Sequence, residues 1–263
     1  MRNRTCLAAV LSALAALEAA PAYAQVQPFV FTLTTLGAPG GGRVGVHYDA
    51  GYAERTTPLF GYDGLEQRIA VQAALGARLT LFAQAGLGVA GDSTAAGLVE
   101  GELLADVASP TSPVRVALGG GARREWNGSA TLLARASVSH AGRRATLCGN
   151  LRLEKPFEAG RDAADVITSL GWHYRVGGSF QLGLEALGED LEGFWEADEA
   201  EGGARLFAGP SLHWAPRGRK LYASLAGGPI VYATRSSRTS DAPRPLGAAG
   251  NGYTLRASLG WVF

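Results

Sequence analysis

Cysteine is scarce in this sequence: Cys6 and Cys148 are the only two among 263 residues, beside a single methionine. Cys6 lies in a leader-like stretch, so one thiol remains in the body of the chain. That excludes an internal disulfide there and a thiolate-built metal cluster. Long apolar runs are missing too. Beyond residue 24 no uncharged hydrophobic run reaches the roughly 18 residues that a bilayer-spanning helix needs, so helical membrane spans are excluded. An excess of one charge sign is also lacking. Lys and Arg total 24 and Asp and Glu 23, and removing residues 1–24 takes away Arg2, Arg4 and Glu18 and makes the two equal. No global field favours nucleic acid or another polyanion.

What is present begins with that leader. Arg2 and Arg4 supply a charged start, Cys6 to Leu17 an apolar stretch, and Ala22-Tyr23-Ala24 a small-x-small site before Gln25. This pattern predicts a cleavable secretory signal peptide over residues 1–24. Cys6 lies too far from the cleavage site to suggest a lipoprotein anchor.

The stretch Gly252 to Phe263 shows how the rest is built. Tyr253, Leu255, Ala257, Leu259, Trp261 and Phe263 alternate with Thr254, Arg256, Ser258, Gly260 and Val262. Period two predicts a strand with one apolar and one mostly polar face. A strand ending on exposed aromatics is an aggregation hazard in water but suits a surface that faces lipid. An exported chain without helical spans, yet rich in such segments, has one membrane solution left, a closed β-barrel.

The same alternation recurs from Arg43 onward and predicts twelve strands. Examples are Val44, Val46 and Tyr48; Leu79, Leu81 and Ala83; and Val166, Thr168, Leu170, Trp172 and Tyr174. The segment with Val99, Leu103 and Val107 against Glu100, Glu102 and Asp106 also has a composition that would suit a helix. Pro210 and Pro229 fall inside expected strands, where each removes a ladder donor. Gly227-Gly228 beside Pro229 predicts a bulge. Residues 25–42 stand outside the count as an N-terminal segment, expected to sit in the lumen, and 43–263 form the barrel.

Connections alternate between short turns, such as Gly76-Ala77 and Gly177-Gly178, and longer polar links, such as Glu189 to Gly203 and Thr234 to Asn251. An even strand number returns both ends of the barrel to the short-turn rim. Trp172, Tyr174, Phe180, Trp214, Trp261 and Phe263 fall at that rim, with Tyr52, Trp126 and Tyr253 toward the other. Two aromatic girdles at headgroup depth are the expected arrangement.

With these residues in view, the chain resembles a Gram-negative outer-membrane β-barrel protein: an all-β, transmembrane, antiparallel up-and-down barrel. The resemblance rests on the leader ending at Ala24, the alternating strands, and the closing Tyr253-to-Phe263 pattern with its terminal aromatic. It implies an outer-membrane location, contact with outer-membrane lipid and lipopolysaccharide, and recognition of the last strand by the barrel assembly machinery. No subfamily motif is legible, and neither is an oligomeric state.

The faces opposite the apolar ones carry the candidate site. Arg43, Asp49, Arg68, Arg78 and Arg115 are expected to line the lumen, as are Arg135, Arg152, Glu185, Arg205 and Arg256. Such a lining fits a porin-like passive channel for small polar solutes. It equally fits a non-conducting structural or surface-interaction barrel closed by salt bridges and the N-terminal segment. A lipid-modifying enzyme is the third reading, but no nucleophile–base set is legible among Ser137, Ser139, His140, His47, His173 and His213. Gly86 to Gly91 matches G-x-G-x-x-G without the following helix a dinucleotide needs. No cofactor and no metal are expected. Glu189 to Glu201, with seven acids and no base, reads as a solvated outer loop or a divalent-cation site bridging lipopolysaccharide.

Overall fold

The computed structural model describes residues 28–35, 44–53, 64–90, 95–109, 112–157, 163–196, 203–216, 220–234 and 251–263. The leader and the bulk of residues 25–42 fall outside the described residues, as does Arg43.

Twelve strands form: β1 (Val44–Ala53), β2 (Gly64–Leu75), β3 (Leu79–Ala90), β4 (Ala95–Asp106), β5 (Val114–Glu125), β6 (Ala130–Ala141), β7 (Ala145–Pro156), β8 (Asp165–Arg175), β9 (Phe180–Glu189), β10 (Arg205–Trp214), β11 (Leu221–Tyr232) and β12 (Gly252–Val262). Each pairs antiparallel with its sequence neighbours, and β1 pairs with β12 from Gly45↔Val262 to Ala53↔Thr254, closing the sheet. Closure removes both edges, so no strand is left as the open edge of the sheet. Followed around the barrel, the paired registers return to β1 displaced by about fourteen residues, the stagger that tilts strands in a closed sheet.

Alternation sets which side chains go where. On β12, Leu255 and Leu259 are 53% and 52% exposed on the outside, whereas Arg256 between them is 2% exposed on the inside. The same inversion holds for β4, where Val99 and Leu103 point out while Glu100, Glu102 and Asp106 are buried. The helical alternative for this segment fails because its acids all fall on one parity, which a strand separates from the other residues and a helix would mix. A water-soluble barrel would put its apolar residues in the middle. This one puts them outside.

Pro210 and Pro229 resolve together. Arg205–Phe207 pair with Tyr232–Ile230, and Ser211–Trp214 with Ala226–Ala223, so the spacing between the paired runs is the same on β10 and β11. The expected bulge is therefore absent, since no extra residue enters either strand. Instead Ala208–Pro210 and Gly227–Pro229 face each other across a short unpaired seam, while Pro210 still pairs with Leu184 and Pro229 with Tyr253 on their other sides. The two missing donors fall in one place. Gly209 belongs there because a Cβ on it would sit 2.0 Å from the Gly227 carbonyl oxygen.

Candidate functional site in the barrel lumen

Eight strands make a barrel that side chains just fill, and sixteen or more leave a water channel. Twelve lie between, so the inward residues decide. Toward the rim with the longer links they form ion pairs. Arg135 donates to both oxygens of Glu102 (2.8 and 2.5 Å). Arg123 does the same to Glu154 (3.1 and 2.5 Å). Arg152 bridges Glu154 and Glu100, the latter at 3.3 Å. Across the lumen Arg256 pairs with Glu66, and Arg68 lies 3.5 Å from both Asp49 and Glu66. Forked guanidinium–carboxylate contacts of this kind combine charge with fixed geometry. Leaving one member without its partner is costly, which is why the arginines and acids occur as a connected band.

Not every charge assigned to the lumen lies in that band. Arg115 pairs with Asp106 near the opposite, short-turn rim. Arg205 contacts Asp190 and Glu189 where β9 ends. Arg78 is a correction: it is exposed in the Gly76–Arg78 turn and lines nothing. Gly76 takes φ +79°, so β2 ends at Leu75 and Arg78 falls in the turn, where the alternation no longer sets its side. Glu66, which alternation places on the same face as Arg68, is a functional partner that sequence reasoning passed over.

The acidic loop is also drawn inward at its start. Glu189, Asp190 and Glu192 are buried, and Glu192 accepts a hydrogen bond from the Val166 N–H at 2.7 Å. A 3₁₀ turn over Leu191–Phe194 makes this possible, with Asp190 in the left-handed region at φ 51°. Residues 197–201 lie outside the described residues. Among the described residues no group of three or more potential ligands could hold a metal ion.

The aromatics mark the two rims. Trp172, Tyr174, Phe180, Trp261 and Phe263 are exposed on the outer surface and Trp214 is half-buried. All six lie at strand ends beside short turns or, for Trp261 and Phe263, at the end of β12. Tyr52 and Tyr253 pack with tilted rings 5.8 Å apart at the opposite rim.

Residues 28–35 cross the lumen on its short-turn side. Phe29, Val30, Thr32, Leu33 and Thr34 are all buried. The N–H of Val30 donates to both oxygens of Glu185 (3.1 and 3.0 Å), and the N–H of Phe31 donates to one of them at 2.7 Å. The Pro28 carbonyl accepts from Ser224 at 3.1 Å. The Leu33 carbonyl accepts from Asn150 (3.1 Å) and from the Cys148 thiol (3.3 Å), and that of Thr34 accepts from Gln72. Phe29 packs 4.4 Å from the His173 ring and lies against Gly171, where a Cβ would come within 2.5 Å of it. Phe31 meets Phe207 at 4.6 Å and lies 5.5 Å from the Arg256 guanidinium. Leu33 joins a cluster with Ala70, Phe82, Leu104 and Ala117.

Three buried apolar side chains contribute about 2 kcal/mol each. Five satisfied backbone groups add about 7 kcal/mol, counting more for the two on the carboxylate. Ordering eight residues costs about 12 kcal/mol. Gain and cost are of one size, so the segment is docked by no more than a few kcal/mol.

Above it a cavity of about 100 Å³ remains, floored by Val30, Phe31 and Leu33 and walled by Asp49, Arg68, Glu100, Arg135, Arg152 and Glu189, among others. His47 lines this cavity, 3.5 Å from Asp49, and two other histidines lie lower down: His173 contacts Ser211 (2.7 Å) and His213 contacts Ser224 (2.8 Å). In each pair the second ring nitrogen has no hydrogen-bond partner among the described residues. These are dyads without the carboxylate that orients a hydrolytic histidine.

Fold and site together define a twelve-stranded β-barrel of the outer-membrane type. No protein-family model matches the sequence, and neither does any curated protein. Among solved structures it is similar to the KdgM porin (TM-score 0.55, 8% identity, 83% of this chain and 99% of that one covered). It is likewise similar to the KdgM porin in complex with disordered oligogalacturonate (TM-score 0.54, 9% identity, 83% and 99% covered). At that identity the likeness concerns the fold.

Proposed function

We propose that the protein is an outer-membrane, porin-like passive channel for small polar solutes, narrowed in the conformation described here by residues 28–35. The observation that carries this reading is the band of paired charges around a cavity of mixed lining inside an apolar exterior. A barrel with only a structural task could fill its middle with apolar side chains at lower desolvation cost. The KdgM porin is named in complex with an acidic saccharide. In this chain the inward arginines are matched by carboxylates, so a neutral or cationic solute suits the lumen better than a polyanion.

The test is single-channel recording in planar bilayers with ion gradients across the membrane. Small conductance steps and a reversal potential favouring cations are expected. Folded protein that never conducts, with or without residues 28–35 docked, removes the channel reading. It would leave a second one, a non-conducting surface barrel, which the filled short-turn half of the lumen favours. The lipid, lipopolysaccharide and assembly-machinery contacts implied for such a barrel belong to the same proposal, with β12 as the strand presented for assembly.

A further inference from the structure

We propose that the short-turn half of the lumen is a built binding site for a short peptide, occupied in this chain by its own residues 28–35. It deepens the channel reading, because the bound peptide would be the element that closes the path.

The wall is made for a peptide main chain rather than for one set of side chains. Glu185, itself 1% exposed, receives two consecutive N–H groups, Val30 and Phe31. Three carbonyls, from Pro28, Leu33 and Thr34, are met by Ser224, Asn150 with Cys148, and Gln72, residues on three different strands. No pore needs that set of donors and acceptors at those positions, and a buried carboxylate without the two N–H groups would be left uncompensated. Side-chain pockets add a preference. Gly171 and His173 accept an aromatic at the Phe29 position, and Ala70, Phe82, Leu104 and Ala117 accept a branched aliphatic at the Leu33 position. The ligand class is an uncharged peptide, bent between its ends as residues 30–32 are, with an aromatic residue four positions before an aliphatic one.

The experiment uses the full chain carrying Phe29→Ser, Phe31→Ser and Leu33→Ser, which empties the pockets at constant length. The probe is a fluorescein-labelled, end-blocked octapeptide with the sequence of residues 28–35. Anisotropy should show saturable binding to the folded variant at least tenfold tighter than to the unaltered protein, whose site is filled. Binding should also be at least tenfold tighter than that of a scrambled octapeptide, and should weaken at least tenfold when Glu185→Gln is added. Equal binding to variant and unaltered protein, equal binding of the scrambled peptide, or indifference to Glu185→Gln overturns the proposal.

Should the triple variant fail to fold, Glu185→Gln alone is expected to raise the maleimide labelling rate of Cys148 at least tenfold, and an unchanged rate overturns it equally. Conductance of the same samples separates the two claims. Specific peptide binding to a barrel that never conducts removes the channel and keeps the site. A conducting variant that the peptide neither binds nor blocks removes the site and keeps the channel.

Discussion

The two halves of the lumen are held by different forces. Toward the longer links the strands are tied across the interior by arginine–carboxylate pairs, and a cavity persists among them. Toward the short turns the interior is filled by residues 28–35, held by backbone hydrogen bonds and three apolar side chains. The first arrangement is part of the barrel and is lost only with it. The second is docked on the barrel and can be lost alone. A closed sheet fixes the wall, and what stands inside the wall is a separate, smaller free-energy question.

That contrast predicts where a substitution will be felt. Arg135→Leu should have the largest effect, because it leaves Glu102 buried with Arg152 at 3.9 Å as its next cation. About 3–5 kcal/mol of barrel stability should be lost, read from urea unfolding in lipid vesicles. Arg135→Leu with Glu102→Leu should recover most of it, and a double variant no better than the single would break the idea of a paired band. Next, Leu259→Arg places a charge on the outer face and should cost about 2 kcal/mol or more, depending on depth. Thr254→Arg, on the inner face, should not carry that lipid penalty.

The docked half should respond differently. Phe29→Ala removes about 2 kcal/mol of segment docking, about 30-fold in the opening equilibrium. The labelling rate of Cys148, which is fully buried beneath the Leu33 carbonyl, should rise by that order. The urea midpoint of the barrel should stay where it was; a matching fall in the midpoint would mean that segment and barrel are one unit. The smallest effect is expected for Gly171→Ala, whose new methyl meets the Phe29 ring and should raise Cys148 labelling only a few-fold.

The wall was legible in the sequence because a strand writes its two environments into alternate residues. Tyr253 to Phe263 already carries that separation. Even β4, where composition hinted at a helix, keeps its acids on one parity. Misreadings arose where the period stops. The turn at Gly76 takes Arg78 out of the lumen, and the prolines of β10 and β11 make a seam rather than a bulge because both fall in the same short stretch of the β10–β11 register, an alignment that neither strand announces.

The contents of the lumen were less legible for a related reason. Arg256 and Glu66 are 190 positions apart, and Val30 and Glu185 are 155 apart. Periodicity says that each faces inward and nothing about which meets which across the interior. Glu189 and Glu192 look like members of a solvated acidic run until Arg205 and the Val166 N–H draw them in.

Everything rests on charge being inside and hydrocarbon contact outside, and one scan tests that most directly. A small fluorophore is attached to single cysteines at positions 254 to 259 in a Cys148→Ser background. Quenching by brominated lipid should be strong at 255, 257 and 259 and weak at 254, 256 and 258. Uniform quenching across the six positions, or strong quenching at the even ones, would contradict the account.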